Sequence, residues 1–510
     1  MAAPHSAAVE AGRAVLSEGG NALAAMVAMA ATIAAVYPHM AQLGGDGFWL
    51  LREPSGRLRA LMASGRAGAN ARRELYRDYE AIPPRGPLAA LTVPGAIAGW
   101  MLALEAAAAS GGRMRLRDLL AAAIAHAKEG APVTRGQARL TAEQLAELKD
   151  VPGFAPTFLL EGKPPAAGAM LKQPALAATL DHLAHAGLID FYRGDVGREI
   201  AADLERMGSP LTRTDLERCR ATLAEPLSVS IDAGTLFNTP PPTQGLASLI
   251  ILALFERLRV AQAEGFDHIH GLVEATKRAF AVRDRVITDP DRLPHPVERY
   301  LDAKFLDAEA LAIDRRKAAP WLPPVGAGGT VWMGAADASG FVVSYLQSLY
   351  WEFGSGVVMQ NRGASFSFDG GALNALEPNR LPPHTLNPAL AVLADGRVIA
   401  YGTMGGDGQP QTQAAIFTRH VCFRASLAHA IDAPRWLLGR TWGAARGNLR
   451  MESRFDGALV DGLLSAGHDV EVLPEVYSEL MGHAGAVVSH ADGTFEAGHD
   501  PRADGGAAGV

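Results

Sequence analysis

Apolar positions along the chain fall into a few sharply different patterns. From Ala22 to Tyr37 only Thr32 interrupts an apolar run, which Pro38 stops. The run is shorter than the ~20 residues needed to span a bilayer, so it predicts a fully buried core helix. A first helix over Ser6 to Glu18 precedes it, closed by Gly19-Gly20, and Asn21 is available to cap the buried one. Helical stripes recur over Ile97 to Ala108, Leu116 to Glu129, Ala142 to Leu148 and Val196 to Met207, so the chain from Val93 to about Leu236 reads as mainly helical. Leu246 to Leu258 and Phe266 to Arg285 predict two further helices. The second carries Glu274, Lys277, Arg278, Arg283, Asp284 and Arg285, which read as a solvated ion-pair face.

Elsewhere the pattern switches to alternation. Gly44-Gly45-Asp46-Gly47 feeds a strand through Leu51, Ser55-Gly56 makes a turn, and Leu58 to Met62 returns to deliver Ser64-Gly65-Arg66. A second hairpin starts at Thr330, turns at Asp337-Ala338-Ser339-Gly340 and returns over Phe341 to Leu349. A turn centred between Ala338 and Ser339 would set Thr330 opposite Gln347 and beside Ser348, hydroxyl next to hydroxyl. A third hairpin, Leu390 to Leu393 with Arg397 to Tyr401, ends in Gly402-Thr403-Met404-Gly405-Gly406-Asp407-Gly408 before a helix from about Gln411. Asp289 to Pro324, rich in Pro, Arg and Asp, reads as loop that would leave the peptide before Thr330 accessible. Strands with helices before and between them predict sheets stacked between helical layers.

Composition narrows the function. The chain has 510 residues, 48% hydrophobic and 6% aromatic, enough for a large core. A formal charge of -7 offers no basic footprint, so no nucleic-acid partner is expected. Cys219 and Cys422 stand far apart without clustered histidines, which excludes a CxxC redox motif, predicts no metal site and fits thiols in a reduced interior. The first residues lack the pattern of an export signal, so a cytoplasmic location and no membrane association are expected. The glycine loop after Tyr401 lacks Gly-Lys-Ser/Thr and Rossmann spacing; no nucleotide or other cofactor is expected, while its backbone N–H groups suit an oxyanion.

Several separated motifs then agree. Gly19-Gly20-Asn21-Ala22, Pro38-His39, Gly44-Gly45-Asp46-Gly47-Phe48, Val93-Pro94-Gly95, Pro240-Pro241-Pro242, Phe353-Gly354-Ser355-Gly356, Gly405-Gly406, Ala433-Pro434-Arg435 and Asp500-Pro501-Arg502 resemble, in order and over nearly the whole chain, the gamma-glutamyltranspeptidase family. The resemblance implies an α+β fold, the αββα sandwich of N-terminal-nucleophile hydrolases with two mainly antiparallel sheets between helical layers. It also implies a precursor that cuts itself between Gly329 and Thr330 into a large chain, 1–329, and a small chain, 330–510. The two chains would stay associated as one αββα unit, with room for a homodimer of such pairs.

A threonine hydroxyl is a weak nucleophile, and after the cut its own α-amino group can act as base. Gly329 permits the close attack that a self-cut needs. Ser348 could orient the Thr330 hydroxyl. By resemblance, Gly405 and Gly406 would hold the oxyanion and Arg66 would grip the substrate carboxylate. The family's transpeptidases bind the substrate α-ammonium with an acid and nearby amide and hydroxyl groups. Here the acid corresponds to Ser365, the amides to Arg362 and Tyr350, and a serine pair to His384-Thr385. A pocket that keeps a carboxylate clamp, gains a cation and loses its acid should not favour a zwitterionic glutamyl group. The expected substrate is a small anionic amide. Gly402 to Gln411 resembles the oxamate amidohydrolase branch of the family, which implies oxamate cleaved to oxalate and ammonia, with Tyr350 shortening the pocket. A γ-glutamyltransferase or glutathione hydrolase, a glutaryl-type cephalosporin acylase, and a non-catalytic binding protein on the same fold are the alternatives. Arg362 is balanced between substrate contact and loop support, and His384 reads as a loop hydrogen-bonding residue.

Overall fold

The computed structural model describes residues 1–321, 329–356, 359–439 and 447–510. The apolar run forms the helix Ala22–Val36, with every residue buried and Asn21 Oδ1 accepting from the Ala24 N–H at 3.0 Å as cap. It packs with helices Ser6–Ser17, Ala96–Ala109, Leu116–Glu129 and Pro174–Ala186 into a layer over one sheet. Among the described residues that sheet has seven strands, in the order Gly506–Ala507, Ala2–Ala3, Gly329–Ala336, Val342–Tyr350, Asp46–Arg52, Leu58–Ala63 and Thr222–Ala224. A second sheet runs Phe495–His499, Ala484–Ser489, Val398–Thr403, Ala389–Leu393, Gly234–Asn238 and Leu227–Ile231. Helices Gly245–Arg257, Phe266–Val286 and Gly408–Phe417 cover its outer face. All the paired strands of these two sheets are antiparallel.

Between the sheets lies a thin apolar layer containing Phe48, Leu50, Trp332, Leu346, Leu390, Val398, Ala400 and Val487. Trp332 fills its centre, and its indole N–H donates to Ser344 Oγ at 2.9 Å. Glycines make the room. A Cβ added at Gly402 would lie 2.2 Å from the indole, one at Gly485 2.4 Å and one at Gly334 2.5 Å. Gly402 and Gly485 belong to the second sheet, so the ring enters the facing sheet itself. Side chains two residues apart share a face of a strand. Thr330 therefore points into the same inter-sheet space as Trp332, one step nearer its end.

The structure corrects the sequence reading in four places. Thr222–Ala224, Leu227–Ile231 and Gly234–Asn238 are strands inside the stretch read as helical; Leu227-Ser228-Val229-Ser230-Ile231 alternates, but the neighbouring stripes outweighed it. Ala303–Leu311 is a helix within the expected loop. The charges on Phe266–Val286 are not all solvated: Glu274, Lys277 and Arg283 are buried, with Lys277 Nζ donating to Glu274 Oε1 at 2.7 Å. Cys219 is partly buried, whereas Cys422 is exposed and not interior; both are free thiols. No described helix is long and apolar enough to cross a membrane. The end of the expected loop, 322–324, and Gly328 lie outside the described residues.

Gly402→Ala should push the new methyl into Trp332 and lower stability by about 1–3 kcal/mol. Gly457→Ala, where a Cβ would meet nothing within 4 Å, is the control. Thermal unfolding should show a lowered midpoint for the first and none for the second.

Candidate active site

The hairpin register is set by its turn. Gly340 adopts φ +102°, its N–H donates to Asp337 O at 3.0 Å, and the turn centres on Ser339. Val331, not Thr330, then pairs with Gln347, a shift of one residue from the sequence reading. Beyond that pair the ladder slips, and the next partners are Gly329 and Tyr350. Two residues, Ser348 and Leu349, thus oppose the single Thr330 in a β-bulge. The bulge re-aims Ser348. Its Oγ accepts from Thr330 Oγ1 at 3.2 Å and from the Tyr350 N–H at 2.7 Å, and donates to the Gly329 carbonyl. Tyr350 itself sits at φ +82°, a conformation non-glycine residues rarely adopt. Thr330 is 1% exposed.

From the other side of Ser348 the first sheet brings Asp46, its ladder partner. Asp46 Oδ1 accepts from the Gly95 and Gly65 N–H groups at 3.0 and 3.3 Å, and Oδ2 faces His384 Nε2 at 3.3 Å. Leu386 N–H donates to His384 Nδ1, so that hydrogen-bond pattern puts the imidazole proton on Nε2. Burial holds His384 well below the usual histidine range, with Arg362 adding to the effect, and pushes Asp46 up to about 7 against the pull of the Gly95 N–H, Arg362 and the Gly65 N–H. His384 is thus a neutral hydrogen-bonding residue, as its position in the sequence suggests.

Gly405 and Gly406 follow the strand Val398–Thr403 with φ +119° and +53°. Neither N–H donates to an acceptor among the described residues. The loop is held from behind. Gln244 Nε2 donates to Gly406 O at 2.8 Å and Thr385 O at 2.7 Å, and Arg283 Nη1 donates to Gln244 Oε1 at 2.9 Å and Asp407 Oδ1 at 2.8 Å. Burial pushes the Asp407 carboxyl up and Arg283 draws it back. Gly482, in close contact with Met404 O, accepts through its own carbonyl from Arg435 at 3.0 Å. Arg435 and Arg502 both bind Asp500, at 2.5 and 3.0 Å, so two of the sequence motifs meet in one buried ion cluster under this loop.

Three cations were open to reading as ligand groups or solvated charges, and their surroundings differ. Arg66 is exposed and already paired with Asp289 at 3.0 Å and Asp291 at 2.7 Å; it lines an open cavity of about 700 Å³ shared with Pro240, Pro241, Pro242 and Leu381. Thr330, Gly405 and Gly406 are not on that cavity's wall. Arg283 is tied to Asp407. Arg362 is 1% exposed, lies 3.5 Å over the Tyr350 ring and donates to Thr385 Oγ1 at 2.9 Å, yet among the described residues it forms no ion pair with a carboxylate and its Nε has no hydrogen-bond partner. Burial lowers it to about 10. Ser365 Oγ is directed to the backbone, 2.8 Å from Arg362 O, and secures the turn that carries Arg362. Arg362 therefore connects through Tyr350 to Ser348 and Thr330, and through Thr385 and Gln244 to Gly406. Gln244, Arg283 and Asp407 were missed as site residues in the sequence, since only the fold joins them; Gln244 in Pro240-Pro241-Pro242-Thr243-Gln244 was the available signal.

Two antiparallel sheets between helical layers, with a Gly-Thr peptide opening a central strand, form the αββα sandwich of N-terminal-nucleophile hydrolases. The chain belongs to the gamma-glutamyltranspeptidase family, whose model matches residues 8–510. It is 51% identical to the oxamate amidohydrolase proenzyme of Klebsiella pneumoniae over 99% of this chain and 97% of that protein. It is 39% identical to the glutathione hydrolase-like YwrD proenzyme of Bacillus subtilis, over 100% of this chain and 98% of that one. Among solved structures, the cephalosporin acylase from Bacillus halodurans superposes with a TM-score of 0.90 at 30% identity, covering 99% of this chain and 94% of that one. The family and fold expected from the motifs are borne out.

Arg283→Met should leave the Asp407 carboxylate buried without its partner and cost about 3–5 kcal/mol. Arg57→Ala, which removes the exposed pair with Glu225, should cost under about 1 kcal/mol. Comparison of their thermal midpoints with wild type checks the difference.

Proposed function

We propose that the chain is a self-processing threonine amidohydrolase for small amides bearing a carboxylate, with oxamate, cleaved to oxalate and ammonia, as the substrate. The observation that carries the substrate class is Arg362, a buried guanidinium without an ion-pair partner among the described carboxylates. A cation in that position costs free energy until an anion joins it. A planar carboxylate attached directly to the scissile amide carbon suits a fork-shaped donor stacked on Tyr350. The oxamate amidohydrolase relative at 51% identity supports the same choice.

The precursor is cut between Gly329 and Thr330, giving chains 1–329 and 330–510. Both sheets combine strands from the two parts, which favours their staying together after the cut. In the mature enzyme the freed α-amino group of Thr330 takes the proton from its hydroxyl, and Oγ1 forms a bond to the amide carbon. The oxyanion is received by the Gly405 and Gly406 N–H groups, each worth about 3 kcal/mol in the transition state. The C–N bond then breaks, ammonia leaves with the proton from the α-ammonium, and water hydrolyses the ester on Thr330. Ser348 orients the nucleophile. Arg362, with Thr385 beside it, holds the substrate carboxylate, Tyr350 closes the acyl end, and Ser365 and His384 support the walls. Arg66, paired with Asp289 and Asp291, serves the outer cleft. No metal or cofactor enters this reading. The free thiols are consistent with a cytoplasmic enzyme, and a homodimer of the paired chains is the proposed assembly.

Intact mass of the purified protein should give two chains, the smaller beginning at Thr330, and a single uncut chain for Thr330→Ala. Ammonia should be released from oxamate, and Arg362→Met should raise its KM roughly 100-fold, equivalent to about 3 kcal/mol for a charge-assisted contact. Glutamate release from a γ-glutamyl anilide without ammonia release from oxamate would return the substrate to the γ-glutamyl alternative.

A further inference from the structure

Glu352 lies just past the bulge and is 5% exposed. Its Oε2 accepts from Gln144 Nε2 at 3.3 Å, while Oε1 is buried without a hydrogen-bond partner among the described residues. An orphan carboxyl oxygen in a core calls for an explanation. A Cβ built on Gly329 would meet Oε1 at 2.8 Å and the Glu352 N at 3.0 Å, so the carboxyl rests against the α-carbon of Gly329. One bond further is the carbonyl of the Gly329–Thr330 peptide. Ser348 already bridges Thr330 Oγ1 to that carbonyl oxygen.

We propose that Glu352 is the proton-transfer residue of the self-cleavage, donating to the Thr330 nitrogen as the peptide bond breaks. The proposal rests on the reading that the chain cuts itself before Thr330. Oγ1 of Thr330 bonds to the Gly329 carbonyl carbon while its proton passes to Ser348, and the Ser348 proton passes to the carbonyl oxygen. The carbon is then tetrahedral and neutral. The C–N bond breaks as the Glu352 carboxylic acid protonates the nitrogen. The carboxylate so formed takes back the hydroxyl proton through Ser348 as the C=O re-forms. An ester and a free amine result, and water hydrolyses the ester to the Gly329 carboxylic acid. In the uncut chain Oε1 has no hydrogen-bond partner among the described residues, and the group it serves becomes basic only during the reaction.

The surroundings suit an acid that is available near neutrality. Burial pushes the Glu352 carboxyl up to about 7, while its own backbone N–H, Arg85, Gln144 and Arg139 pull it down. Arg85 donates to Glu352 O at 2.6 Å and is paired with Glu147, Arg139 is paired with Glu143 and Glu479, and Tyr37 also lies within electrostatic reach. A carboxyl raised in this way donates below about pH 7 and is spent above it.

The test uses freshly synthesised full-length chain, chased between pH 5.5 and 9, with the cut fraction read by intact mass. The wild-type rate should fall as pH rises through about 7. Glu352→Gln should cut at least tenfold more slowly and lose that inflection, Glu352→Asp should recover part of both, and Gln144→Ala should move the inflection to higher pH because it removes a donor to the carboxylate. Wild-type rate and profile in Glu352→Gln would overturn the proposal, as would a slowed variant that keeps the inflection, which marks a packing role. If Glu352→Gln fails to fold, the Gln144→Ala inflection decides, and an unmoved one overturns the proposal. A wild-type chain that is never cut before Thr330 overturns the self-cleavage reading instead.

Discussion

The placement of Thr330 depends on the contact between the Trp332 indole and the glycines of the facing sheet. A ring that large between two sheets would ordinarily force them apart. Here Gly402 and Gly485 leave hollows for it, so the strand carrying Thr330 is held at a fixed height over the strand that ends in Gly405-Gly406. The period of two does the rest. Thr330, Ser348 and Asp46 all face the same inter-sheet layer as Trp332, Leu346 and Phe48, and they gather where that layer stops. The candidate active site is the polar end of an apolar seam.

Charge is distributed around this end unevenly. Arg283 and Asp407 neutralise each other behind the glycine loop, and Arg435, Arg502, Asp500 and Glu452 form a closed buried cluster beneath it. Such pairs return little net stability once desolvation is counted, but breaking one is costly, which fixes the loop they hold. Arg362 differs because its charge is buried, stacked on Tyr350 and hydrogen-bonded to the Thr385 hydroxyl, with Asp46 and Asp407 acting on it only from beyond ion-pair distance. In the proposed reaction the missing counter-charge arrives with the substrate. Arg66, which the family resemblance makes the carboxylate clamp, already has two aspartates.

The two proposed reactions, self-cleavage and amide hydrolysis, draw on one nucleophile with different protonation partners. Before the cut the Thr330 nitrogen is an amide and cannot act as a base, and Ser348 and Glu352 lie against the peptide. After the cut the α-amino group is available. A bulge at Ser348 and the left-handed Tyr350 are the backbone devices that bring these groups to the peptide.

Much of this was legible in the sequence. The buried helix at Ala22–Val36, the three hairpins, Thr330 beside Ser348 and the free Gly405-Gly406 amides follow from local pattern, because apolar periodicity and turn residues act over a few positions. The hairpin register was read one residue off, since the three-residue loop closed by Gly340 and the bulge beyond it move the pairing without changing the pattern. Strands in the 222–238 stretch and the helix Ala303–Leu311 were hidden by stronger neighbouring signals. Which charges are paired could not be read at all. Arg66 meets Asp289, Arg283 meets Asp407 and Glu352 meets Gly329 only after the chain has folded, whereas Arg362 meets no described acid. Sequence alone determined most of the elements and the family, and singled out Thr330 as the expected nucleophile; tertiary structure decided which buried charges lack partners among the described residues, because that depends on groups brought together from distant parts of the chain.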